Sequence, residues 1–158
     1  MVAKRDDAVE IQFDLHTDGE GWPPIPVEPI WCTPVAEGDQ HYIVTNVPIH
    51  ALEVSRGDVI RATRSPEGPL RFVALVEQGG HGTIRVIVAD RAEVEAIAQS
   101  LASFGCVVSD TYIEQLLTLD LPPGVNYSAV RGWLLDADAA ERLDWEEGAM
   151  PPSHRAEH

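Results

Sequence analysis

The chain has 158 residues, 44% of them hydrophobic, with 11 lysines and arginines against 26 aspartates and glutamates and a formal charge of −15. That size suits one domain, or two small ones, with enough apolar material for a real core. The charge disfavours nucleic acid, whose affinity rests on cationic contacts, and two distant cysteines, Cys32 and Cys106, form neither a disulfide framework nor a paired-cysteine zinc motif.

MVAKRDDAVE lacks the apolar core of a signal peptide, and no stretch approaches the roughly 18 apolar residues of a membrane span. A cytoplasmic protein, off the membrane, is expected. Residues 8–15, AVEIQFDL, alternate with Val9, Ile11, Phe13 and Leu15 on one side, the period of a half-buried strand. Residues 19–30, GEGWPPIPVEPI, carry four prolines, which lack an amide donor, so an extended connector is expected there, with Trp22 against the core. Residues 30–35 and 41–47 then read as a hairpin turning at EGDQ, 37–40. GDVIRAT, the turn SPEG and LRFVALVEQ read as a second hairpin, with Val59, Arg61 and Thr63 opposed to Ile60, Ala62 and Arg64.

After about Gly80 the pattern changes. TIRVIVA (83–89) is a strand, and Asp90 with Glu93 three residues on opens a helix whose apolar positions Val94, Ile97, Ala98, Leu101 and Phe104 follow helical spacing up to Gly105. CVVSD and YIEQLLTLDL read as strands and LPPG as a break. SAVRGWLLDADAAERL reads as a helix opened by Asn126 or Ser128 and weakened by Gly132, and RLDWEEG as a last strand. The expected fold is α+β. An N-terminal antiparallel β unit over 1–80, a small twisted sheet or half-barrel, packs on a C-terminal ferredoxin-like βαββαβ unit over 81–148, and residues 149–158 form a disordered tail.

Several motifs in this order, GWPPIPVEPIW, TNVPIHALEVSRGDVI, GGHGTIRV and the helix ending in FGC, resemble the bacterial family called domain of unknown function 4265 over roughly residues 9–148. The resemblance implies common ancestry and fold and brings no activity with it. Where the family pattern has serines on either side of the loop histidine, this chain has Gly80 and Gly82.

Chemistry concentrates in GGHGTIRV, residues 79–86. Gly79, Gly80 and Gly82 free the backbone to converge on an anion, and His81, Thr83 and Arg85 add donors. Phosphate loops place their glycines before a helix, whereas these precede a strand, so nucleotide-loop readings fail. A sharp bend between the two halves is the other reading of the loop. Thr83 and Arg85 share a side of the strand away from Ile84 and Val86, and Asp58, Glu28 or Glu53 are candidate partners for Arg85. His16, His41 and His50 have no metal-ligand spacing, so no metal and no cofactor are expected. Ser55 and Thr83 lack a nucleophile motif. Cys106 follows a helix C-terminus, whose negative end raises a thiol pKa. Glu20, Glu28 and Asp58 are the carboxylates from which an acid–base pair could be drawn.

DADAAERLDWEE, 136–147, holds six acids and one arginine, a solvated face or a strip that docks a basic surface. The leading expectation is a non-enzymatic acidic protein-binding module, an immunity- or inhibitor-type protein being one form, that engages a basic partner through Asp144, Trp145, Glu146 and Glu147. The alternative is a small-ligand binder or enzyme at the loop, with His81 as acid or base, Asp58 orienting it and Arg85 holding an anion. A third reading, local nucleic-acid contact, rests on Arg56, Arg61, Arg64 and Arg71.

Overall fold

A computed structural model describes residues 7–35 and 40–151. The chain is α+β and divides into two compact units, residues 1–79 and 80–158.

The first unit contains β1 (Val9–Asp14), β2 (Val27–Pro34), β3 (His41–Val44), β4 (Val59–Arg64) and β5 (Leu70–Glu77), bonded in that order as a closed barrel. Consecutive strands pair antiparallel. Closure comes from a parallel pairing of β1 with β5, Ile11 opposite Leu70 and Gln12 opposite Arg71. The expected open sheet or half-barrel is corrected on this point, because periodicity along one strand says nothing about which strand meets it from 59 residues away. Alternation fills the interior: Ile11, Phe13, Ile30, Cys32, Ile60 and Ala62 are buried, and Phe13 stacks on Phe72 at 4.5 Å between ring centroids.

The proline segment departs from expectation too, since β2 begins at Val27 and includes Pro29. Leu15 N–H donates to Pro26 O, which sets the even-numbered residues of β2 toward β1 and Pro29 away from it. β3 joins β2 only from Cys32 onward, so the missing donor of Pro29 faces no strand. Trp22 is more than one-third exposed and meets the His50 ring edge-on. β3 stops at Val44, short of the expected Val47. Of the expected turn at 37–40, only Gln40 lies within the described residues; it has a positive φ of 65°.

The second unit runs β6 (Gly82–Val88), a 3-10 turn (Arg91–Glu93), α1 (Val94–Ala102), β7 (Val107–Asp110), β8 (Leu116–Leu121), α2 (Tyr127–Ala139) and β9 (Leu143–Glu147). Its sheet has the order β7-β8-β6-β9, with every pair antiparallel. Asp90 caps the entry by accepting from Ala92 N–H, Asn126 caps α2 by accepting from Ala129 N–H, and Gly105 leaves α1 at φ 99°. Glu93 closes no capping box and instead takes Arg142 at 3.1 Å. β8 starts four residues later than expected, because Gln115 has φ 72° and breaks the extended run.

Ile97 and Leu101 of α1 and Val130, Leu134 and Ala137 of α2 bury against Ile84, Val86, Leu117, Leu119 and Leu143. Full burial of each such aliphatic is worth roughly 1.5–3 kcal/mol. The expected tail from 149 is corrected at its start: Ala149 O accepts from Thr83 N–H at 3.1 Å, and Met150 is buried in this core. Residues 152–158 of that tail lie outside the described residues.

Candidate functional site

β6 alternates cleanly. Ile84, Val86 and Val88 enter the helix-side core, which leaves Thr83 and Arg85 on the opposite face. The antiparallel register sets Thr83 opposite Asp120 and Arg85 opposite Thr118. Four polar side chains thus share one sheet face, and all are buried: Thr83, Arg85, Thr118 and Asp120. A carboxylate in such a place is costly without a partner. Asp120 has one in His81, whose Nδ1 lies 2.8 Å from Asp120 Oδ1, while the imidazole keeps 22% of its side-chain surface exposed. In the tautomer that carries its proton on Nδ1, the ring donates to that oxygen. Arg85 lies on the same face with its guanidinium pressed against Gly148, where any Cβ would overlap it.

The carboxylate within hydrogen-bond distance of His81 in its own unit is Asp120. Asp58 is buried in the first unit, where its two oxygens accept from Ser55 N–H at 2.9 Å and Gly79 N–H at 2.8 Å. The sequence carried a signal for Asp120 in LLTLDL, where Thr118 and Asp120 interrupt an otherwise leucine-only strand. Locating its partner needed the pairing of β6 with β8. The glycines have local reasons. A Cβ on Gly79 would overlap the Gly57 carbonyl, and Gly80 has φ 95° with Pro123 at 3.1 Å from its Cβ position.

Other candidates are engaged structurally. Glu28 accepts from three consecutive backbone amides, those of Ile49, His50 and Ala51, at 2.6–2.9 Å. Burial pushes the Cys32 thiol up to about 12. Cys106 is raised to about 11, first by burial and then by the negative charge of Asp120. Neither is a thiolate at neutral pH. Arg71, one of the arginines suggested for nucleic acid, pairs with Asp14 at 2.9 Å, and Arg64, another, donates to Gly68 O. Among the described residues no group of three or more His, Cys, Asp and Glu is placed to hold a metal. No helix of the described residues is long and apolar enough to cross a membrane.

The acidic run divides by strand geometry. On β9, Asp144 and Glu146 are exposed, whereas Trp145 packs against the helix-side core and Glu147 accepts from the Tyr127 hydroxyl. Asp136, Asp138 and Glu141 are exposed on α2 and just after it.

The sequence profile described as Domain of unknown function (DUF4265) matches residues 28–145. No curated protein matches the chain. Among solved structures, the chain is similar to "Novel crystal structure of a hypothetical protein from Neisseria gonorrhoeae", with a TM-score of 0.72 and 19% identity over 90% of this chain and 96% of that one. A likeness at that identity speaks for fold alone.

Proposed function

The chain belongs to the domain of unknown function 4265 family, a membership that fixes no activity, and on that footing we propose that it is a non-enzymatic binding module whose acidic surface engages a basic protein in the cytoplasm. An immunity- or inhibitor-type protein that masks a basic surface is one form of this. The observation that carries the reading is the state of Asp144 and Glu146: both are exposed on β9, and no ion pair among the described residues involves either. Of the nearby cations, Arg142 pairs with Glu93 and Arg91 with Glu114, while Arg85 lies across from Glu146 on β6 with its buried guanidinium against Gly148. Exposed charge of one sign steers an oppositely charged partner and is screened by salt. The order β7-β8-β6-β9 with helices between strands supports a ferredoxin-like reading of the second unit.

The test is low-salt affinity capture with the tagged chain. A stoichiometric basic protein is expected that dissociates at high salt and binds at least tenfold more weakly to the triple variant Asp144→Lys, Glu146→Lys, Glu147→Lys. Unchanged affinity in that variant would sink the reading.

A second reading, a small-ligand site, is favoured by the His81–Asp120 pair, in which a buried carboxylate holds an imidazole that still reaches solvent. Native mass spectrometry of the purified chain tests it. A retained metabolite that His81→Ala releases from a folded protein supports the site, and a bare mass removes it.

A further inference from the structure

Resting on the protein-binding reading, we propose that the open edge of β9 takes an extended basic segment of a partner as a fifth strand of the second sheet. β9 is a terminal strand of the order β7-β8-β6-β9. Ala89 N–H donates to Arg142 O, and Gly148 N–H donates to Thr83 O. In an antiparallel ladder the N–H and C=O of one residue point the same way and alternate along the strand. Arg142, Asp144, Glu146 and Gly148 therefore turn their backbones to β6, and Leu143, Trp145 and Glu147 turn theirs to the outer edge, where Leu143 is buried and Trp145 and Glu147 are partly exposed. Those three backbones bond to no other described residue. An edge of this kind is a template for another strand.

The side chains state what the added strand must carry. Residues directly opposite Asp144 and Glu146 would lie on the same face as those two exposed acids. They sit two positions apart, roughly 7 Å, so Lys or Arg at i and i+2 of an extended segment meets both. The residue between them falls on the face of Trp145, whose ring is half-buried against the helix-side core, and an apolar side chain fits there. A second copy of this chain is a poor occupant, because antiparallel pairing of β9 with β9 sets acids against acids in a molecule already at −15. The opposite edge, β7, is four residues long with one acid, Asp110, and lacks the alternation.

The probe is an end-blocked seven-residue peptide of alternating Lys and Val, added to the full chain, with amide hydrogen exchange read residue by residue by NMR. At saturation, exchange at Trp145 and Glu147 is expected to slow at least tenfold. Asp144 and Glu146, already bonded to β6, should change little. N-methylation of the peptide nitrogens that face β9 should weaken binding at least tenfold, and so should the double variant Asp144→Lys, Glu146→Lys. Binding without protection at those two amides, indifferent to N-methylation, overturns the edge proposal and leaves the acidic-surface reading standing. Absence of binding at millimolar peptide likewise overturns it, and failure of the capture experiment above would be needed to remove the broader reading. A dimer of the chain alone in sedimentation, lost in the double variant, assigns the edge to a second copy and also overturns it.

Discussion

Asp120 is the residue on which most of the second unit's polar chemistry turns. It is buried and lies within hydrogen-bond distance of the His81 ring. Removing the imidazole deletes a hydrogen bond to a buried charged group, at about 3 kcal/mol. His81→Ala should therefore lower the unfolding free energy by about that amount in urea titration, whereas Asp120→Asn, which keeps a hydrogen bond and removes the charge, should cost about 1 kcal/mol. An equal, small effect of both would mean that the pair contributes little. The thiols make a separate pH prediction. The fold holds the Cys32 proton up to about 12 and the Cys106 proton up to about 11, against 9.0 ordinarily. A raised folded-state value stabilises fully below the unfolded pKa, and the contribution is lost as pH climbs from 9 toward 11 and 12. Each thiol should then remove at most about 1.4 kcal/mol per pH unit in that window. Unfolding midpoints from pH 8 to 10.5 should fall more steeply in the native chain than in Cys32→Val. At this scale much is legible in the sequence: that Arg85 leaves the apolar face, and that both thiols are buried, follow from alternation and context. Asp120 as the partner of His81 is not, because the two are 39 positions apart and only strand register joins them.

Periodicity locates elements well where it is strong and poorly where a single backbone angle or a missing donor decides. α1 and α2 follow their apolar stripes, with Asp90 capping the 3-10 turn that leads into α1 and Asn126 capping α2. The positive φ of Gln115 displaces the onset of β8, and Pro29, whose orientation relative to β1 no composition rule supplies, conceals the onset of β2. Gly132, a defect in the sequence of α2, sits within the helix with nothing inside 4 Å of the place a Cβ would take. Gly132→Ala is therefore expected to stabilise by about 0.5–1 kcal/mol, read as a higher melting temperature. Gly79→Ala is expected to destabilise by about 2 kcal/mol, since its Cβ meets the Gly57 carbonyl. If the two glycines respond alike, the steric account of the loop fails.

For the whole molecule the governing quantity is charge. A formal −15 over 158 residues repels itself, and screening at 0.1 M salt acts beyond about 10 Å. Raising sodium chloride from 10 to 200 mM should therefore raise the melting temperature by about 3 °C, while the His81→Ala penalty, set by a buried pair, stays nearly constant. A fall in melting temperature over that range would mean that surface attraction outweighs repulsion. Composition makes this property visible at once. The closed barrel is invisible to it, because closure depends on β1 meeting β5. That meeting has a consequence during synthesis. Ile11 emerges from the ribosome 59 residues before Leu70, its partner across the closing seam. At roughly 10 residues per second, the nascent first strand waits about six seconds for the strand that seals it. A binder of exposed strand edges has that interval in which to act, and a pause introduced between codons 15 and 70 should lower the soluble yield.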